Sequence, residues 1–173
     1  MRRQIAIAVL ALFAAAPVLT VAAPTAALRV TNEAGKTTEF SAAELLALPR
    51  TKIEVKDPPG QVGQSATYQG VGLSEVLSRA GVTLGKELRG PRLATYLLVE
   101  ATDGYRVVFA LPEVDPASSG QIVLLADRKD DEPLSEKEGP LRIVVPHEKP
   151  HSRWVRQVVH MRVLSAPRPA PAQ

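Results

Sequence analysis

The sequence predicts one α+β domain, and three observations carry that reading. Helical periodicity appears only in short stretches, the β-type runs are brief and divided by Gly, Pro or Asp turns, and 173 residues with 45% hydrophobic content supply a single core. The folded unit is expected over residues 24–164.

The first 23 residues read as a signal peptide. Arg2 and Arg3 form a short basic start, Ile5 to Leu19 form an apolar stretch broken only by Pro17, and small residues run from Thr20 to Ala27. The stretch is short and poorly flanked for a spanning helix, so export to the periplasm is expected, with a retained membrane anchor as the alternative. Removing this leader takes away two arginines and no acid, and the formal charge falls from +3 to +1. Such a near-neutral chain argues against a nucleic-acid partner. The absence of cysteine removes disulfides, thiolate metal sites and cysteine nucleophiles together.

Leu28 to Thr31 and Thr37 to Phe40 flank the turn Asn32-Glu33-Ala34-Gly35 and predict an opening hairpin. Ser41-Ala42-Ala43-Glu44 has the form of a capping box for a helix running to Leu48, where Pro49 ends it. Thr51 to Val55 reads as a strand, and Asp57 to Gly63, with two prolines and two glycines, as a loop. Leu73, Val76, Leu77 and Ala80 share one face of a second helix that Gly81 caps. Thr95 to Ala101 and Tyr105 to Leu111 read as strands joined through Asp103-Gly104. Gln121 to Ala126 and Leu141 to Val145 have the composition of buried strands. In the final run Val155, Val159, Met161 and Val163 are expected on one face and Arg156, His160 and Arg162 on the other. Residues 165–173 carry three prolines and are expected to form a disordered tail.

His147, Glu148 and His151 spell the H-E-x-x-H of zinc proteases. That motif works because a helix sets both imidazoles on one face. Pro146 and Pro150 oppose such a helix, at a cost of about 3 kcal/mol for an interior proline. The segment therefore reads as a basic loop: between Arg142 and Arg162 stand five Lys or Arg residues, one acid and all three histidines. No nucleophile elbow or phosphate loop occurs.

Four segments in order, YQGVGLSEVLSRAGV (68–82), LLVEATDGYRVVFALPEV (97–114), IVLLADRKDDEPLSEKEGPLRIVVP (122–146) and RWVRQVVHMRV (153–163), resemble the molybdopterin-binding domain of sulfite oxidase-type oxidoreductases. The resemblance implies a sulfite oxidase-like molybdopterin-binding fold, with mixed β-sheets, short helices and a cleft for a pterin. Catalytic members bind molybdenum through a cysteine in the segment that corresponds here to about Val55 to Gln61. This chain has Lys56 and Asp57 there.

A pterin site needs a flat face to stack on and polar groups to read the amide and amino edge. Trp154, flanked by Arg153 and Arg156 and following His151 and Ser152 of the basic loop, is the stacking candidate, with a core tryptophan as the competing reading. Asp103 and Glu113 are candidates for the ring edge, Arg128 for a ring or acidic substituent, and Tyr105 for the cleft wall. Each of these has an ordinary turn, surface or core role as its alternative.

The combined expectation is an exported, non-catalytic pterin-binding protein. It is similar to small periplasmic pterin-responsive proteins that regulate a membrane-bound cyclic-di-GMP enzyme through that enzyme's periplasmic domain. A reduced, tetrahydropterin-type ligand is expected ahead of molybdopterin. The alternatives are a molybdenum-cofactor oxidoreductase or its accessory subunit, and an exported interaction module whose pocket is empty.

Overall fold

The computed structural model describes residues 27–56, 65–148 and 151–167. The expected signal peptide, the loop at 57–63 and the last six residues of the tail lie outside them.

The opening hairpin forms as the sequence predicts, with β1 at Leu28–Thr31 and β2 at Thr37–Phe40. Asn32 closes its turn by accepting from the Ala34 and Lys36 amides through Oδ1. The capping box at Ser41 and Glu44 is complete, and helix α1 covers Ala42–Leu46, shorter than expected because Ala47 already caps it. Strand β3, Arg50–Lys56, pairs antiparallel with β4, Ser65–Gly72, which leads directly into helix α2, Leu73–Arg79. Leu73, Val76 and Leu77 are the buried face of α2, and Gly81 takes the left-handed φ of +77° that ends it.

Strands β5, Thr95–Ala101, and β6, Arg106–Ala110, form the second hairpin. Leu111, expected at its end, instead opens helix α3, Leu111–Val114, because Pro112 suits a first helical turn. Helix α4, Pro116–Ser119, follows at once, capped by Asp115. Neither short helix has enough turns to leave a periodic signal in the sequence.

Strand β7 covers Leu124–Lys129, three residues further along than Gln121 to Ala126. The carbonyl of Val123 accepts from the Leu73 amide, while Gln121 and Ile122 are exposed. At the far end Asp130 and Asp131 adopt φ of 51° and 64° and turn the chain into β8, Glu132–Pro133. Strand β9, Arg142–Val144, pairs with β7 on the side opposite β4, and β10 is Val158–Ser165.

Two five-stranded sheets result. One has the order β2-β1-β10-β5-β6, with β10 parallel to β1 and antiparallel to β5; the other runs β3-β4-β7-β8, with β9 also on β7. Leu28, Val30, Leu97, Val99, Phe109, Met161 and Val163 of the first sheet and Val71, Leu124, Leu125 and Ile143 of the second belong to one buried cluster. Arg50 spans β3 to β7 with a two-pronged hydrogen bond to Asp127, at 2.7 and 2.6 Å.

Strand β10 departs from simple alternation. A register shift between Val158 and His160 places Val158, not Val159, among the fully buried residues. The extra residue of a β-bulge flips the facing of what precedes it. Ser165 still belongs to this strand and the Ala166 amide donates to the Ala94 carbonyl at 2.8 Å, so the ordered chain extends past the expected start of the tail.

His160 sits beside Arg29 in the neighbouring strand. Burial, then Arg29 and Arg162, hold its pKa below the ordinary imidazole value, with Glu100 at 3.5 Å opposing them in part. An imidazole depressed in the folded state leaves the unfolded chain binding the proton first. Its contribution is therefore whole above about pH 6.5 and is lost as pH falls through that value toward the folded pKa. His160→Gln should flatten the decline in melting temperature between about pH 7 and 5. Parallel melting curves of the two proteins across that range would contradict the assignment.

Candidate functional site

After β9 the chain turns at Pro146 and His147, where the Glu148 amide donates to the Val145 carbonyl. His151–Arg153 then form a separate 3-10 turn, closed by the Trp154 amide on the His151 carbonyl at 3.0 Å. His147 and His151 thus do not share a helical face.

In a 3-10 turn, residues three apart eclipse one another. His151 consequently lies flat on Trp154, with ring centroids 3.7 Å apart and planes inclined by 16°. The indole itself is core: it is 3% exposed, its Nε1–H donates to the Val145 carbonyl at 3.1 Å, and Tyr68 meets it edge-on at 5.7 Å. The Arg142 guanidinium lies 5.3 Å from the indole centroid and 5.7 Å from that of Tyr68. Arg142 is buried inside β9, ion-paired with Glu138, and its Nε has no partner among the described residues. Burial raises the Tyr68 pKa, opposed by the charges of Arg142 and Lys129.

Beside this stack is a cleft of ≈ 200 Å³ lined by Asp103, Tyr105, His151, Ser152, Trp154 and Arg156. The β5–β6 turn forms one wall. Gly104 takes φ of +84° there, and the Tyr105 amide donates to Asp103 Oδ1 at 2.9 Å. The 3-10 turn forms the other wall, tied across by the Tyr105 hydroxyl, which donates to the Ser152 carbonyl at 2.6 Å. Next to it Thr102 donates to Gln157 through both backbone and hydroxyl, tying the β5–β6 turn to the chain that enters β10. The volume is below the roughly 300–1,000 Å³ of pockets for drug-sized ligands, which favours a small ring system over a large extended cofactor. One carboxylate, one guanidinium, a hydroxyl and an imidazole supply both donors and acceptors.

The cleft thus unites Asp103, Tyr105, His151, Ser152 and Trp154 of the residues singled out from the sequence. Arg153, Glu113 and Arg128 are not part of it. Being one residue from Trp154 in the 3-10 turn, Arg153 turns elsewhere. Its Nε donates to Glu148 at 2.6 Å, its Nη1 to Glu113 at 2.8 Å, and its guanidinium covers Phe109 at 4.7 Å. The Glu148 hydrogen bond first, then that of Glu113, raises its pKa against the effect of burial. These residues line a second cavity of ≈ 290 Å³ with His147. Arg128 borders a third, apolar cavity with Leu46 and Leu134, and donates to the Asp131 carbonyl at 2.9 Å. Arg156 joins the cleft although the sequence marked it only as a flank of Trp154. An arginine within an apolar strand run points to a structural pairing for Arg142, which Glu138 supplies; its place over the Trp154 and Tyr68 rings follows only from the fold.

Comparison with known proteins agrees with this architecture. The crystal structure of the sulfane dehydrogenase SoxCD from Paracoccus pantotrophus superposes with a TM-score of 0.58 at 24% sequence identity, over 79% of this chain and 37% of that one. The two share a fold, and this chain corresponds to little more than a third of that protein's length. No match is found among curated proteins. The profile of the oxidoreductase molybdopterin binding domain matches residues 58–172, two-thirds of the sequence, and includes the strands and turns that build the cleft. With its mixed sheets and short helices, the chain belongs to that family.

Proposed function

We propose that the chain is an exported, non-catalytic pterin-binding protein that senses a reduced pterin of the tetrahydropterin type and regulates a membrane-bound cyclic-di-GMP enzyme through the latter's periplasmic domain. The observation that carries this reading is a molybdopterin-binding family domain in a chain without cysteine. A soft thiolate is the natural protein ligand for a molybdenum centre, and neither an ammonium nor a single carboxylate replaces it. Lys56 ends β3 where the family's cysteine segment begins, and no three His, Asp or Glu side chains gather to hold a metal among the described residues. The residues present do not fit thiolate-bound molybdenum.

They do suit a pterin. A flat ring entering the cleft would meet Asp103 for its amino edge and the Ser152 hydroxyl and Arg156 for its carbonyl side. Calorimetric titration of the mature protein with 6-methyltetrahydropterin should give saturable binding that weakens about tenfold in Asp103→Asn, since a charge-assisted hydrogen bond contributes roughly 1.5–3 kcal/mol. No binding by the wild type would end this reading.

A second reading, a molybdenum-cofactor oxidoreductase or its accessory subunit, draws on the family's oxidoreductase description. Stoichiometric molybdenum in protein purified from its native source would favour it over the sensor.

A further inference from the structure

We infer that the outer face of the β5–β6 hairpin is the contact surface of a two-fold dimer of this chain, whatever the cleft binds.

Strand alternation gives the hairpin two unlike faces. Leu97, Val99, Val107 and Phe109 enter the core, so Tyr96, Leu98 and Glu100 of β5 and Arg106, Val108 and Ala110 of β6 belong to the opposite face. Val108 is 49% exposed at the centre of β6, and Arg106 and Ala110 are exposed on either side of it. Among the described residues β6 pairs only with β5 and so is an edge of its sheet. An apolar side chain exposed on an edge strand invites contact with another chain.

The rows of this face fit a second copy of themselves. Across the hairpin Glu100 stands opposite Arg106, Leu98 opposite Val108 and Tyr96 opposite Ala110. A two-fold axis running along the strands, between β5 and β6, lays each β5 residue over the β6 residue of the same row in the second copy. Acid then meets base, Leu98 meets valine, and the large Tyr96 meets the small alanine, each contact occurring twice. Within its own chain Arg106 makes no ion pair among the described residues. Glu100 gives Oε1 to Arg162 at 2.9 Å, while its Oε2 lies 3.5 Å from His160 Nδ1. That is too long for a firm hydrogen bond, so this oxygen is open to a further donor. An axis along β10 would instead set Arg162 over its own copy, like charge on like. Running parallel to the strands, the axis leaves both Asp103-Gly104-Tyr105 turns, and with them both clefts, at one end of the dimer. So few side chains cover less than the roughly 1,200 Å² of stable complexes, and the dimer belongs to the transient class.

Sedimentation equilibrium of the mature protein between about 1 μM and 1 mM should show a reversible monomer–dimer equilibrium. Val108→Glu, which sets a charge between apolar rows, and Arg106→Glu, which sets an acid on Glu100, should each weaken it about tenfold or more. Leu46→Glu, at a position 53% exposed on α1, should leave it unchanged. Because the chain has no cysteine, single thiols report the geometry. Oxidising a mixture of the Leu98→Cys and Val108→Cys proteins should link one variant to the other, while Leu46→Cys stays unlinked. A monomer throughout the range, or a dimer indifferent to both Glu variants, would overturn the inference. So would links between two copies of Val108→Cys with none to Leu98→Cys, since these mark pairing along the β6 edge instead. The thiol pair decides alone should a Glu variant fold poorly.

Discussion

Gly70→Ala is expected to lower the melting temperature by roughly 10–15 °C, a loss of about 3–5 kcal/mol for a domain of this size, or to abolish cooperative folding. A Cβ at position 70 would stand 2.0 Å from the Leu125 carbonyl oxygen and 2.6 Å from the Ala126 Cα. Both are backbone atoms, so no rotamer change relieves the clash. Nor can β7 retreat, since Leu124, Leu125 and Ala126 are buried and pair on their other side with Val144, Ile143 and Arg142 of β9. Gly70 lies at the register shift between β4 and β7, where a glycine without a side chain lets the β7 backbone approach. Gly72→Ala is the control: the nearest atom to its new Cβ is Ser74 Oγ at 3.9 Å, and its φ of −57° suits alanine. It should melt within a few degrees of the wild type. Thermal circular dichroism of the two variants separates a requirement for close approach from a general intolerance of the segment. Equal melting points would show that β4 and β7 are not so tightly apposed.

The difference between those two glycines marks how far the sequence could be read. Local chemistry was legible: the Asn32 turn, the Ser41–Glu44 box and the Asp103-Gly104 hairpin each depend on side chains within a few residues, and each forms where expected. So was the family pattern that placed the fold. What was not legible depends on contacts between distant segments. Gly70 looks like any glycine until β7 is laid beside it, and the bulge in β10 becomes visible only against β5. Helices α3 and α4 are too short to impose a period, and Asp115 caps one of them through a three-residue contact that resembles an ordinary turn.

The site divides along the same line. Asp103 and Tyr105 are linked through one turn, so their partnership follows from sequence alone. His151 and Trp154 stack because a 3-10 turn brings residues three apart into line, but an α-helical or extended reading of the same letters gives no such contact. Arg153 stands with Trp154 through adjacency in the chain, and Glu113 is an acid able to read a ring edge. In the fold they bond to one another 40 positions apart and line a cavity other than the cleft.

Trp154→Ala is expected to cost about 3–5 kcal/mol, the range for removing a large buried aromatic ring. Three losses combine. The ring leaves a void at a site only 3% exposed, the bond that ties residue 154 to the Val145 carbonyl disappears, and Arg142 and His151 lose the surface they lie on. Water entering the void would solvate the Arg142 Nε, which lacks a partner among the described residues, and so recover part of the cost. Trp154→Leu tests this: it restores apolar volume but neither the hydrogen bond nor the aromatic face, and should fall between alanine and wild type. Urea unfolding gives both values, and a loss below about 1 kcal/mol for alanine would remove Trp154 from the core. Because the indole supports the fold and faces the cleft at once, weaker ligand binding in a variant at 154 carries two causes.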